Sequence, residues 1–356
     1  MSNPSPAFFK ALPHSVSERV RGSYEITERM ERGNLTWTSC TIAAQNGFAI
    51  NPGLYLNKYC PDPGQTKEEK RLLYLKAWAK ASCDTSAAAA LLARRKESLP
   101  LLGQRCLTFN GDVVWRMVAG LGNPNPLEAG FSLHPQYGIP WLYGSALKGI
   151  ARSFRLRQIG EEVGVYPLAY DAWKSRKEIK FPAPTPLELL EAVLLGDGES
   201  DDLEKCYSKL QEDKAVAAWA AQAQPSKPLP GVKLDGLTHQ FGRTYRAVFG
   251  STSEIGRVTF LDAIPLNWRY KVDVMTPHYG DYYEGKAPPA DWLTPSPVTF
   301  VTLDEGSSFR FDVVGSKEAN VQNASDWLKG AVTTLGVGGK TRGGYGEMAV
   351  KAEPRQ

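Results

Sequence analysis

The spacing of apolar and polar residues changes repeatedly along the chain, and each change predicts an element. Near the N-terminus Arg19, Arg21, Arg29 and Arg32 interleave with Glu18, Glu25, Glu28 and Glu31. Opposite charges mixed this closely predict a solvated helix or arm. Leu35 to Ala44 is rich in threonine and apolar residues and predicts a strand. Gly64 to Arg95 has helical character. Its second half, from Thr85, is rich in alanine and leucine and ends in Arg94, Arg95 and Lys96, cations that suit a helix C-terminus. Pro100 is expected to stop that helix. Val113 to Val118 predicts a short strand, broken by Gly120, Gly122, Pro124 and Pro126. A helix follows from about Ser145 to Gln158, with Ser145 as its expected N-cap.

The C-terminal third has strand periodicity. Arg257 to Ile264 predicts one strand. Val298 to Leu303 and Ser308 to Val314 predict a hairpin about the turn Asp304-Glu305-Gly306, with Phe309, Phe311 and Val313 alternating on one face. Ala324 to Leu335 predicts a helix ending at Gly336, and Tyr345 to Val350 a final strand. The resulting order is strand, helix, strands, helix, strand. It predicts an α+β fold of the ferredoxin-like or RRM-like kind, with an N-terminal extension and a helical insertion. The extension is expected over residues 1–110, packed on a core domain over 111–356. The insertion falls at about 174–233 and contains an acidic run, Asp197 to Asp213, with seven acids against two lysines.

Composition narrows the class only slightly. A length of 356 residues allows one large domain or two ordinary ones. The net charge of +4 is compatible with nucleic acid but does not require it, because the distribution of charge matters more than its sum. Cys40, Cys60, Cys83, Cys106 and Cys206 are scattered and odd in number, which fits reduced thiols. No apolar run is long enough to cross a bilayer and the N-terminus lacks a signal-peptide pattern, so a cytoplasmic location is expected.

Two segments carry candidate chemistry. The first, Gly336 to Gly346, holds six glycines around Lys340, Thr341, Arg342 and Tyr345. Glycine lets the backbone approach a ligand closely, and basic residues in such a loop point to a phosphate or a nucleic-acid backbone. A nucleoside-triphosphate loop is excluded by spacing. Gly339-Lys340-Thr341 matches the end of GxxxxGK[ST], but Thr334 stands where the first glycine is needed, and the loop runs from helix to strand rather than the reverse. A plain glycine-rich helix cap and turn is the competing reading.

The second segment is Gly144-Ser145-Ala146-Leu147-Lys148-Gly149, followed by Arg152 and Arg155. On a helix, Leu147, Ile150, Ala151 and Phe154 share one face, while Lys148, Arg152 and Arg155 form a stripe. No acid lies between Pro140 and Gly160 to neutralise that stripe. Lys148, Arg152, Lys340 and Arg342 are therefore expected to form a joint positive site, with Gly144, Ser145, Gly338, Gly339, Thr341 and Tyr345 beside them. An ordinary surface helix with solvated cations competes with this reading.

Gly144 to Arg152 resembles the GSxxKGxxR signature of the RAMP superfamily of CRISPR-associated proteins, and Gly336 to Gly346 resembles that superfamily's C-terminal glycine-rich loop. Asn51 to Tyr55, Gly120 to Gly122, Leu127-Glu128, Leu133-His134, Tyr137 to Pro140, Phe260 to Ala263 and Asp273 to Tyr279 extend the likeness, specifically to the sixth Cmr subunit of type III-B effector complexes. Tyr143 stands where that pattern has proline, and Ala146 where it has serine. The resemblance implies a RAMP fold and a non-catalytic subunit without cofactor or metal. It implies a place at the end of the complex backbone, near the 3′ end of the guide RNA (crRNA). The implied partners are guide RNA, complementary target RNA, the repeated backbone RAMP subunit and a neighbouring RAMP subunit, with no membrane.

The alternative is a metal-independent endoribonuclease that processes guide RNA with His, Tyr, Lys or Ser as acid and base. His134 and His278, near Tyr137 and Tyr279, are its candidates, and a structural or base-stacking role competes for both. Asp262 and Asp273 stand alone rather than in a carboxylate cluster, and no ligands have zinc-like spacing. Aromatics set among cations, Trp268, Tyr270, Tyr279, Tyr282 and Tyr283 with Arg269, Lys271 and Lys286, and the smaller cluster Arg243, Tyr245 and Arg246, could stack bases or lie in the core or a subunit interface.

Overall fold

The computed structural model describes residues 24–31, 34–42, 51–57, 68–81, 85–102, 104–165, 184–196, 200–213, 216–217, 220–221, 225–276, 288 and 297–352. The first described elements are β1 (Tyr24–Glu31) and β2 (Asn34–Ile42), paired antiparallel from Tyr24 opposite Ile42 to Glu31 opposite Asn34. The expected helix or arm is therefore wrong for Tyr24–Glu31. Tyr24, Ile26 and Met30 alternate with Glu25, Thr27, Arg29 and Glu31, a period of two that the dense charges obscure.

Three helices follow: α1 (Pro52–Asn57), α2 (Glu68–Ala81) and α3 (Ser86–Leu101). Helix α3 runs one residue past Pro100, and the Leu102 N–H closes it on the Leu99 carbonyl at 3.2 Å. Strand β3 (Arg105–Val113) comes next, then β4 (Arg116–Met117). The strand expected over Val113–Val118 is thus split, and Val114 and Trp115 form the bend between two strands.

Helix α4 (Gly144–Val163) is followed by α5 (Pro186–Leu195), α6 (Ser200–Glu212) and α7 (Leu234–Leu237), which continues through a π turn at Thr238–Gly242 into α8 (Arg243–Phe249). The described residues of the insertion are helical over Pro186–Leu195 and Ser200–Glu212, as expected. Thr185 and Glu188 form a reciprocal capping box at the start of α5. That helix buries Leu189, Leu190, Val193 and Leu194 in the same core as α4 and α8.

The remaining elements are β5 (Val258–Phe260), β6 (Ile264–Asn267), β7 (Tyr270–Met275), β8 (Val298–Asp304), β9 (Ser308–Gly315), α9 (Glu318–Thr334) and β10 (Met348–Ala352). The main sheet is antiparallel with lateral order β10-β3-β9-β5, and β6 also pairs with β9. In chain order this is fourth, first, third, second, with α4 between the first two strands and α9 between the last two. That is the ferredoxin-like arrangement.

The expected hairpin of β8 with β9 does not form. Strand β8 belongs to a second sheet, β4-β8-β7, and the turn Asp304–Gly306 carries the chain from one sheet to the other. A strong local turn signal fixes a reversal of direction but not which neighbour the strand finds.

Phe109 and Phe311 stack across β3 and β9 at 4.9 Å, under α9, whose Lys329 ammonium lies 5.6 Å from the Phe109 ring. Full burial of each ring contributes about 2 kcal/mol. The opposite face of the sheet is polar yet covered. Asp312, fully buried, accepts from Arg310 Nε at 3.0 and 3.2 Å and from Thr108 Oγ1 at 2.7 Å. Arg95 of α3 reaches it at 3.5 Å. Buried charges tolerate this setting only when paired and hydrogen-bonded. The extension therefore closes the sheet face that an RRM leaves open.

The aromatics after Asn267 resolve partly into core. Trp268 and Tyr270 are buried, and Tyr270 packs 4.6 Å from Trp78 and 5.8 Å from Phe131.

Candidate nucleic-acid interface

The glycine loop leaves α9 and turns back against the second sheet. Gly339 N–H bonds to the Val118 carbonyl at 2.7 Å, Gly346 N–H to Arg116 at 2.7 Å, and Val337 N–H to Gly346 at 2.8 Å. Gly346 has φ +79°, and a Cβ there would lie 2.0 Å from the Val337 carbonyl oxygen. No other residue fits. Gly343 and Gly344 N–H groups close a 3-10 turn onto Lys340 and Thr341. These N–H groups are used inside the fold, and the side chains of Lys340 and Arg342 remain as candidate phosphate contacts.

Lys340 itself is left-handed, φ 57°, which costs a non-glycine residue about 1 kcal/mol. Its ammonium lies 5.5 Å from the Phe300 ring and beside Met275 Sδ, on the second sheet. Arg342, in the 3-10 turn, is exposed. The loop thus offers one anchored and one outward cation.

Tyr345 locks the loop down. Its hydroxyl donates to Asp273 Oδ2 at 2.6 Å, and Asp273 also pairs with Arg116. Burial, reinforced by the bond to Asp273, pushes the Tyr345 phenol up to about 12. Burial alone would raise the Asp273 carboxyl, but the hydrogen bonds from Arg116 and Tyr345 outweigh it and hold that group below its ordinary value. Trp115 leans on the cluster, with its ring 4.9 Å from Tyr345 and 5.1 Å from the Arg116 guanidinium.

At the start of α4 the expected cap is corrected. Tyr143, not Ser145, is the N-cap, and its side chain caps nothing. The cap comes from 118 residues away, where Asp262 Oδ1 accepts from the Gly144 N–H at 2.6 Å while Oδ2 accepts from Trp141 Nε1 at 3.1 Å. A Cβ on Gly144 would lie 2.0 Å from the Phe260 carbonyl oxygen, so this approach requires glycine. Ser145 is exposed and Lys148 half-buried.

The rest of the expected stripe is neutralised. Arg152 Nε bonds Glu191 of α5 at 2.6 Å, and Tyr245 donates to the same Glu191 oxygen. Arg155 pairs with Glu162 at 3.2 Å and lies 5.3 Å from the Trp327 ring and 5.8 Å from Phe241. Glu191 is remote in sequence, and Glu162 lies just past the window that looked free of acids. Tyr245 is fully buried, and Arg246 Nη1 donates to the Leu194 carbonyl at 2.7 Å. Arg152, Arg155, Tyr245 and Arg246 are struts of the fold; only Arg243 of that smaller cluster is exposed.

His134 packs against Tyr137 at 4.6 Å and Trp141 at 4.5 Å, and its Nδ1 accepts from the Gln136 N–H at 3.2 Å. Burial pushes its imidazole down, and the nearby Asp262 charge opposes that without reversing it. His278, Tyr279, Tyr282, Tyr283 and Lys286 lie outside the described residues. Among the described residues no cluster of three His, Cys, Asp or Glu side chains could hold a metal, and no helix is long and apolar enough to cross a membrane.

Helices α4 and α9 pack against each other, with Phe154 against Gly330 and Arg155 against Trp327. Ser145 and Lys148 remain as polar and cationic groups at the start of α4, and Lys340 and Arg342 on the glycine loop. Trp115, Arg116 and Asp273 lie beside that loop through Tyr345, and sequence spacing gave Trp115 and Arg116 no part in a site.

The chain is similar to several known proteins. The RAMP superfamily model matches residues 110–349. The CRISPR system Cmr subunit Cmr6 of Pyrococcus furiosus is 29% identical over 245 residues, 65% of this chain and 64% of that protein, just under two thirds of its length. The crystal structure of Cmr6 from Pyrococcus furiosus is 25% identical over 71% of this chain and all of that one, with a TM-score of 0.41. A chain in the cryo-EM structure of the type III-B Cmr-beta complex bound to cognate target RNA is 19% identical, covering 86% of this chain and 83% of that one, with a TM-score of 0.48. With more than half of its length matched by the family model, the chain belongs to the RAMP superfamily.

Proposed function

We propose that this chain is a non-catalytic, RNA-binding subunit of a type III-B CRISPR effector complex. In this reading it caps the complex backbone near the 3′ end of the guide RNA and helps hold guide and complementary target RNA, beside the repeated backbone subunit and a neighbouring RAMP subunit. The observation that carries the reading is the glycine loop, which holds an exposed Arg342 and an anchored Lys340. Cations on a rigid loop contact phosphates without reading sequence, which suits a subunit that must accept any guide. Superfamily membership and the Cmr6 likeness support the same assignment.

The absence of chemistry in the reading rests on two groups. Tyr345, pushed up to about 12 and committed as a donor to Asp273, is a poor general base near neutrality. His134 is packed between two aromatic rings and bonded to the backbone of its own turn. Purified chain incubated with labelled repeat RNA and with guide-paired target RNA is expected to cleave neither. Cleavage abolished by His134→Ala would overturn the non-catalytic assignment.

RNA affinity measured by filter binding across a salt series tests the binding claim. Arg342→Glu is expected to weaken binding and to reduce the slope of log affinity against log salt by about 0.7, the share of one neutralised phosphate. An unchanged affinity and slope would remove the loop from the interface.

A further inference from the structure

We infer that Trp115 forms a stacking subsite for an unpaired nucleobase, on the same end of the molecule as the proposed phosphate contacts; the inference rests on that RNA-binding reading. Trp115 occupies the bend between β3 and β4, and 45% of its surface is open. Most tryptophans find cover in a core, so one this open beside a cation cluster is informative.

Its setting is built rather than incidental. The indole is supported by the Tyr345 ring at 4.9 Å, tilted by 52°, and by the Arg116 guanidinium at 5.1 Å. Both supports are themselves fixed by Asp273, which accepts from the Tyr345 hydroxyl and pairs with Arg116. Tyr345 packs in turn 6.1 Å from Phe300, the ring under Lys340. The indole is therefore tied through Tyr345 to the glycine loop and pre-oriented before any ligand arrives. Pre-orientation reduces the entropy cost of binding.

The surrounding charge selects the occupant. Arg116 lies against the indole, and the loop tied to it through Tyr345 carries Lys340 and the exposed Arg342. An open aromatic joined to a cationic loop matches a single-stranded nucleic acid, whose bases stack while its phosphates meet the charges. The subsite takes any base, because every base has a π face.

The test uses the full chain with a fluorescein-labelled oligouridylate and the same ribose-phosphate chain lacking bases, read by fluorescence anisotropy. Trp115→Ala is expected to weaken oligouridylate binding by about 5- to 100-fold, the range for removing one stacked base. Its salt slope should match wild type, since every phosphate partner is still present. Trp115→Phe should recover most of the affinity, and the base-free chain should bind wild type and Trp115→Ala alike. If Arg342→Glu weakens binding while Trp115→Ala does not, the stacking subsite falls and the RNA-binding reading stands. If wild type fails to bind oligouridylate at all, both fall. If Trp115→Ala leaves RNA affinity intact but abolishes co-purification with other RAMP chains, the residue is a protein contact and the inference is overturned.

Discussion

At the scale of single residues, Asp273 is the joint of the candidate interface. It accepts from Tyr345 and pairs with Arg116, and those two side chains support Trp115 and the glycine loop. Tyr345→Phe removes one bond to a charged, half-buried acceptor and is expected to cost about 1–2 kcal/mol in chemical denaturation at neutral pH. The sign of its pH dependence follows from the lowered Asp273 carboxyl. Stability from a depressed acid is complete above the ordinary carboxylate value and disappears as pH falls through the folded-state value. The gap between wild type and Tyr345→Phe should therefore be widest at neutral pH and close in acid. A gap that stayed constant down to strongly acidic pH would mean that Asp273 is not the partner that matters.

At the scale of elements, the link between α4 and the inserted α5 is one carboxylate, Glu191, shared by Arg152 and Tyr245. Burial first, and then Glu191 itself, drives the Tyr245 phenol well above its ordinary value, so it stays a donor throughout the stable range. Glu191→Gln leaves both partners with a weaker acceptor and is expected to lower stability by about 1–2 kcal/mol while leaving RNA affinity unchanged. Arg152→Gln should behave the same way. A variant of Arg152 with weakened RNA affinity and unaltered stability would return this residue to the phosphate surface. The helical face of α4 was legible in the sequence, since Leu147 and Ala151 are buried as their spacing requires. The fate of its cations was not, because the neutralising Glu191 lies beyond any local window. The cap of α4 was missed for the same reason: Asp262 is far away in sequence, and only the approach of Phe260 and Asp262 to Gly144 reveals it.

At the scale of the whole molecule, the ferredoxin-like sheet does not offer the surface that an RRM uses. Its aromatic residues Phe109 and Phe311 are buried, and the opposite face carries Thr108, Arg310 and Asp312, closed by Arg95 of α3. RNA crosslinked to the full chain by ultraviolet light and mapped to single residues is therefore expected on Trp115 and Gly338–Tyr345, not on Phe109 or Phe311. Crosslinks concentrated on β3 and β9 would mean that α3 leaves the sheet when RNA binds.

The order of the core elements is written in the chain. Local periodicity and turn chemistry encode that order, and it survives folding because each element depends on residues a few positions apart. Folding in three dimensions was needed to settle that β8 leaves β9 for a second sheet, that Arg152 and Arg155 are struts, and that the N–H groups of Val337, Gly339, Gly343, Gly344 and Gly346 are occupied. The same holds for Trp115, which stays open beside Tyr345 and Arg116. Those outcomes depend on which distant charge or carbonyl arrives at each site, and a one-dimensional pattern does not carry that partner.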